Sequence, residues 1–366
     1  MPGTREAEVV IIGAGAVGAA CAAAVSRAGR AAVVLRHPER STTTVSGGHL
    51  LLQSKRPGPA LELARRSQEL VATLARGRER ILGYRRTGSL LVARSQEAAE
   101  ALQAHSQALR KADMPVEWLS PDTARAMEPG LSEELVAASY CPQDAQVRPE
   151  RLTAAWLEQA TERGAQIVSA PVDAIRPGSA EAGGWTVRAR NQEVRAQVLV
   201  LAAGPWSAAL GTMVGLNLEI RPRRGVLLRA RTSRQIASRP LLGAEYLEAK
   251  FGETGGGVAF SFQQHSDGEC VLGGSREFVG WEEGGVEPLR ERILELGVAY
   301  LPDLRRQPWR GASVGYRPWT PTGEPYLGPC EVPGVLLACG FEGDGITLAA
   351  AAGERIAAGV EEALGS

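Results

Sequence analysis

The stretch "VVIIGAGAVGAACAAAV", Val9–Val25, carries no charged residue, and its reading decides the fold. A membrane-spanning helix needs about 20 apolar residues, so length alone leaves the reading open. A secretion signal places a positive leader before a shorter apolar run. Here the leader holds Arg5, Glu6 and Glu8 and is mixed in sign. Gly13, Gly15 and Gly18 instead fit G-x-G-x-x-G, directly after the β-branched run Val9–Ile12. A helix predicted from Ala19 to Arg27 follows, Gly29 stops it, and Ala31–Leu35 reads as a second strand. Strand, glycine turn, helix and strand in this order form the dinucleotide-binding unit. The first glycine makes the tight turn and the second lets backbone approach a pyrophosphate. The third lets helix and strand pack closely, and the helix N-terminus turns N–H groups toward the phosphates.

One position departs from that pattern. The unit expects Asp or Glu where "AAVVL" ends, to accept the ribose hydroxyl protons. Arg36 stands there. An arginine at this place suits a 2′-phosphate and so a reductase using NADP; it equally suits a solvated strand end with the ribose held elsewhere.

The remaining composition narrows the field. Across 366 residues, 41 Lys and Arg balance 41 Asp and Glu, so net charge points to no polyanion partner and no nucleic acid. The densest basic stretch, "RPRRGVLLRARTSR" from Arg221 to Arg234, holds six arginines and reads as a solvated strand face. The five cysteines are scattered without C-x-x-C, and the four histidines are widely spaced. No metal site or disulfide framework is expected, and the cysteine usage fits a reducing, cytoplasmic setting. The chain reads as not integral to a membrane; peripheral association stays open.

Ser41–Pro59 reads as a loop, followed by helices at Ala60–Leu74, Gln96–Lys111 and Pro149–Arg163 and a strand at Thr87–Ala93. "VLVLAAGPWSAAL", Val198–Leu210, is a buried strand opening onto a helix. Arg221 to about Leu327 is strand-rich with one helix, Pro288–Tyr300. "GVLLACG", "FEGDG" and a last helix close the chain. The predicted fold class is α/β. A Rossmann-like FAD-binding domain would comprise 1–85, 146–220 and 323–366, and an inserted, mainly antiparallel α+β substrate domain 86–145 and 221–322. No Ser/His/Asp or paired-carboxylate constellation appears.

Five segments in order carry a resemblance: "VVIIGAGAVGAACA", "STTTVSGGH", "VLVLAAGPWS", "GYRPWTPTGEPYLGP" and "ACGFEGDGITLAAAAGERIA". In these the chain resembles the flavin-dependent amine and D-amino acid oxidases of the glycine oxidase and sarcosine oxidase family. "SGGHLLLQSKRPGP" and "LGGSREFVG" further resemble bacterial dehydrogenases of D-hydroxyproline, proline or opines, often subunits of larger assemblies. The resemblance implies FAD and the oxidation of a small amino or imino acid by hydride transfer to flavin N5. The resulting imine is hydrolysed by water. It leaves room for partner subunits or a separate electron acceptor, and for a flavin subunit active only within a hetero-oligomer.

The resemblance also assigns residues. Gly13, Ala14, Gly15, Val17 and Gly18 would cradle the pyrophosphate, with Arg36 at the ribose. Thr43, Thr44 and Ser46 would supply hydroxyls, and Gly47 and Gly48 would let the chain pass the isoalloxazine. Val172 would contact adenine, and Ala203, Gly204 and Trp206 would line the middle of the cofactor. Gly343, Asp344, Gly345 and Ile346 would open the last helix near the flavin pyrimidine edge. Arg317 matches the arginine that grips a substrate carboxylate, for which a bidentate guanidinium is suited; it equally suits carbonyls in a Pro-rich turn. His49 reads as facing the substrate or as a structural hydrogen bond. Tyr246 reads as closing the pocket or as a strand-core residue. Phe260 falls near the family's substrate tyrosine.

Overall fold

The computed structural model describes residues 4–178, 183–251 and 256–365. Its first sheet grows from β1 (Thr4–Ile12). Val9–Ile12 are at most 4% exposed, so β1 is covered on both faces, as a central parallel strand must be. Burying each such side chain contributes roughly 1.5–3 kcal/mol. β1 pairs in parallel with β2 (Ala32–Arg36) on one side and with Gln192–Leu201 on the other. The parallel run extends to Gln166–Ser169 beyond β2 and to Val335–Cys339 beyond Gln192–Leu201. Antiparallel strands Tyr326–Pro329, Trp185–Ala189 and Val172–Pro177 finish this sheet.

α1 (Ala16–Arg27) packs against the helices Pro149–Glu162 and Gly345–Gly365. Its alanines permit close approach. A Cβ on Gly353 of the last helix would lie 2.6 Å from the Ala20 carbonyl oxygen. α1 begins three residues before the predicted start, because Gly18 lies inside its first turn, pressed on Gly13.

The second sheet comprises Ser89–Ala93, Glu117–Leu119, Ala137–Cys141, Arg221–Arg231, Leu241–Gly243, Gly257–Gln264, Glu269–Arg276 and Ala312–Trp319. All its pairings are antiparallel except Leu241–Gly243 with Ser89–Ala93. The helix Glu287–Tyr300 covers one face, with Phe260 stacked on Tyr300 at 4.5 Å. No helix among the described residues is long and apolar enough to cross a membrane.

Three local expectations are corrected. The segment read as a loop holds a 3-10 turn at Thr43–Val45 and a short strand at His49–Leu50. Leu51–Lys55 within it are all at most 2% exposed. This segment threads beneath the second sheet, and its polar groups are satisfied internally. The Leu52 N–H donates to Asp144 Oδ1 (2.6 Å), and Gln53 Nε2 donates to the Ser89 carbonyl (2.8 Å). The Arg221–Arg234 stretch is not uniformly a solvated face: Arg223 is 0% exposed and Arg224 4%. Both are buried because each meets a carboxylate, Glu342 and Glu277. Tyr246 lies on neither a strand nor a strand core but on a short helix, Glu245–Phe251.

Candidate functional site

A cleft of about 860 Å³ runs between the two sheets. Every residue assigned above to cofactor or substrate borders it, apart from Gly18 and Phe260. Gly18 is instead a packing position, since a Cβ there would sit 2.0 Å from the Gly13 carbonyl oxygen. Phe260 is fully buried in the core of the second sheet; its neighbour Ser261 faces the cleft.

One end of the cleft is built from backbone and hydroxyls. Gly13 has φ +117°, and a Cβ there would meet the Ala202 carbonyl oxygen at 2.3 Å, so only glycine makes this turn. Gly15, the N-cap of α1, has only Thr43 Oγ1 near its missing Cβ, at 3.2 Å. Thr43 Oγ1 accepts the Ala16 N–H (3.0 Å), and Ser46 Oγ donates to the Thr43 carbonyl (2.6 Å). Thr44 Oγ1 turns back to the Ser41 carbonyl (3.4 Å). Arg36 is exposed at the end of β2, and its side chain has no hydrogen bond or ion pair with any described residue. Ala203, Gly204 and Trp206 form the turn after Gln192–Leu201, and Val172 lies farther along the same wall. Gly48 answers a packing need rather than a ligand's: with φ +96°, its Cβ would lie 2.0 Å from the Val147 carbonyl oxygen. Gly47 is the open one of the pair.

The other end is built from buried charge. Arg317, on Ala312–Trp319, lays its guanidinium across Gly225 of the neighbouring strand, where a Cβ would be 2.2 Å from Nη1. Nη1 donates to the Ser275 carbonyl at 3.0 Å. Burial and the nearby Arg276 lower the Arg317 pKa to about 10. Arg223 donates to Glu342 Oε1. The same oxygen lies 3.7 Å from Arg276 Nε and 3.9 Å from Arg317 Nε. Burial pushes the Glu342 carboxyl up, but Arg276, Arg223 and Arg317 together hold it below the usual range. The Arg276 guanidinium rests over the Tyr246 ring, 4.5 Å from its centre.

Asp344 faces two lysines rather than open cleft. Lys55 Nζ stands 2.9 Å from Oδ1 and Lys250 Nζ 2.8 Å from Oδ2. Burial lowers Lys55 to about 8 against the pull of Asp344. Asp344 itself is held well below the carboxylate range by Lys250 and Lys55, which outweigh burial. The His49 ring lies behind Gly47. Its Nδ1 is 3.9 Å from where a Gly47 Cβ would be, and its Nε2 is buried without a hydrogen bond. Burial lowers its pKa to about 4.

Sequence reading missed Lys55, Lys250, Arg223, Arg276 and Glu342. Lys55, Arg276 and Glu342 stood inside segments quoted for the resemblance, but nothing local marks them as buried. No cluster of His, Cys, Asp and Glu among the described residues could hold a metal ion.

The glycine-lined end fits a dinucleotide. Gly15 leaves open the space that a Cβ would fill, the first turn of α1 points into it, and Thr43 and Ser46 bring hydroxyls beside it. Comparison with known proteins agrees. The chain is 31% identical to a glycine oxidase of Geobacillus kaustophilus (strain HTA426), covering 98% of this chain and 94% of that one. It is 27% identical to a glycine oxidase of Bacillus licheniformis, covering 96% and 92%. The crystal structure of glycine oxidase from Geobacillus kaustophilus superposes with a TM-score of 0.88 at 26% identity, over 98% of this chain and 95% of that one. The DAO model, described as FAD dependent oxidoreductase, matches residues 8–358, and the chain belongs to that family of FAD-dependent oxidoreductases.

Proposed function

We propose that this enzyme oxidises a small amino or imino acid at the carbon beside its nitrogen. The observation that carries the reading is Arg317. It is a partly buried guanidinium bordering the cleft, laid over Gly225 and hydrogen-bonded to one backbone carbonyl. Its remaining N–H groups suit a bidentate carboxylate. Residues 1–85, 146–220 and 323–366 serve as the FAD-binding domain, and 86–145 and 221–322 as the substrate domain.

FAD, when bound, supplies the two-electron acceptor at N5. The substrate C–H bond breaks with its electron pair leaving as hydride. The nitrogen lone pair forms the C=N bond, and water then adds to give a carbonyl and a free amine. Arg317 fixes the carboxylate and so aims the C–H bond. Tyr246 walls the pocket. A substrate arriving with a neutral amine needs no general base, which accords with an inner end whose two carboxylates, Glu342 and Asp344, are engaged by arginines and lysines. His49 holds the cofactor loop from behind as a neutral ring. With FAD bound, the first turn of Gly345–Gly365 and Lys55 would supply positive potential that favours negative charge on a reduced flavin.

The test is anaerobic bleaching of the flavin band by D-, L- and N-alkyl amino acids. Bleaching by amino or imino acids, with no response to the matching hydroxy acids, is expected. Bleaching by hydroxy acids alone would overturn the reading.

A further inference from the structure

The arginines outnumber the carboxylates that could pair with them. Arg276 and Arg317 both border the cleft. They reach it from strands on either side of Arg221–Arg231, whose Gly225 leaves room for the Arg317 guanidinium. Glu342 is the acid nearest both, and Arg223 already donates to it. Arg276 and Arg317 stand off at 3.7 and 3.9 Å, beyond hydrogen-bond reach. Arg276 Nε is buried without a hydrogen bond. Asp344, the other acid at this end among the described residues, is engaged by Lys55 and Lys250. Two guanidiniums therefore face one cavity with no hydrogen-bonded carboxylate between them. A buried charge left so is costly, and a ligand that brings the missing anions relieves the cost.

We propose that the substrate is a small amino or imino diacid, with Arg317 taking one carboxylate and Arg276 the other. This rests on the amine-oxidation reading above and names its substrate class. Arg317 holds the carboxylate on the carbon that loses hydride. Arg276, kept over the Tyr246 ring, takes the second and sets specificity. A monoacid satisfies only Arg317 and leaves Arg276 with no more than its share of Glu342, at 3.7 Å. The two carboxylates belong either to one amino dicarboxylic acid or to two acid arms on a secondary amine. These share the same recognition chemistry and differ only in where the nitrogen lies.

The experiment uses the FAD-loaded enzyme under anaerobic conditions. The rate constant of flavin reduction divided by the dissociation constant is measured for glycine, sarcosine, alanine and proline. The same ratio is measured for aspartate and glutamate of both hands, iminodiacetate, and N-(1-carboxyethyl) amino acids. At least one diacid is expected to exceed every monoacid by 100-fold or more. The diacids with the nitrogen between the acid arms separate the two arrangements. Arg276→Gln should cut the diacid ratio by about 30-fold or more relative to whatever change it makes in the monoacid ratio, so that the diacid preference collapses. Monoacids bleaching as well as or better than every diacid would overturn the diacid proposal while leaving amine oxidation intact. An unchanged diacid preference in Arg276→Gln would also overturn it. No bleaching by any amine-bearing acid would overturn both readings. Should Arg276→Gln lose its flavin, the oxidised wild-type enzyme still decides the matter. Malonate, succinate or glutarate should perturb the flavin spectrum at concentrations at least 30-fold below acetate, and equal potency would overturn the assignment.

Discussion

The two ends of the cleft are made of different materials. The nucleotide end uses glycines, backbone N–H groups and hydroxyls, and its one nearby strand-end charge, Arg36, is exposed. The reacting end uses buried guanidiniums, ammoniums and carboxylates drawn from both sheets. The first kind of site binds by shape and by dipoles that any folded βαβ unit supplies. The second binds by charge whose desolvation the rest of the fold must offset. The first should therefore fail through steric intrusion, and the second through changes of charge.

The sharpest way to break the contrast is within the glycine turn itself. Gly18→Val drives a side chain into the Gly13 carbonyl 2.0 Å away. It should exceed the ~3 kcal/mol of ordinary overpacking and prevent folding. Gly15→Val meets only the Thr43 hydroxyl and should fold but emerge colourless, since the side chain fills the pyrophosphate path. Circular dichroism and the flavin spectrum, recorded together, separate the two outcomes. A yellow Gly15→Val protein would show that the cofactor takes another route through the cleft.

At the charged end, Arg317→Ala removes one partner of a desolvated charge pair. A loss of ~2–5 kcal/mol in transition-state stabilisation is expected, read from kcat/KM, with flavin content unchanged. Gly225→Ala should give a milder version of the same defect, because its methyl displaces the guanidinium. Unaltered kinetics in both variants would return Arg317 to a purely structural role.

The polar layer behind the cofactor loop gives a pH test. His265 is 5% exposed, and burial, reinforced by Arg148, lowers its pKa to about 4. The unfolded chain takes up this proton near pH 6.5 and the folded chain only near 4. Acidification through that window therefore favours unfolding, by at most roughly 3 kcal/mol. Asp144, raised to about 6 by burial, works in the opposite direction. Comparison with His265→Gln isolates the histidine: Tm should fall less steeply from pH 6.5 to 4 in the variant. Parallel curves would mean that His265 is protonated without strain in the folded state.

The smallest effect is expected at Arg36, which makes no contact that its loss would break. Arginine cannot accept the ribose hydroxyl protons. Arg36→Glu should restore such bonds and raise FAD affinity by about tenfold, ~1.4 kcal/mol. Titration of the apoprotein with FAD measures it. A weaker site in the variant would make Arg36 itself a cofactor contact.

The same contrast explains what the sequence disclosed. Gly13, Gly15 and Gly18 are legible because their use depends on spacing within one βαβ unit. The parallel strands are legible because both faces are apolar. Arg317 became visible only through a family resemblance. Arg276, Glu342 and Lys55 have no local signature, because their meaning lies in strand pairings between distant segments. Arg223 shows the difficulty well: six arginines in a short window look solvated until Glu342, from the other end of the chain, is placed against one of them. Of the two readings of Tyr246, the strand-core one fails because a seven-residue helix sits where the surrounding pattern favours strands, while the residue does border the cleft. Gly48 misled because a glycine beside a ligand can be required by the packing behind it.

The lysine clamp on Asp344 has a consequence in time. Lys55 emerges from the ribosome before Lys250, and Asp344 after both. Domains generally fold as their residues leave the ribosome, N-terminal parts first. Until Asp344 arrives, Lys55 lacks the carboxylate that pairs with it directly, having only the more distant Asp144 nearby. The inner wall of the cleft therefore closes last, although the glycine turn that begins it is made first. A nascent chain halted before residue 344 should hold the dinucleotide turn but not a tightly bound flavin.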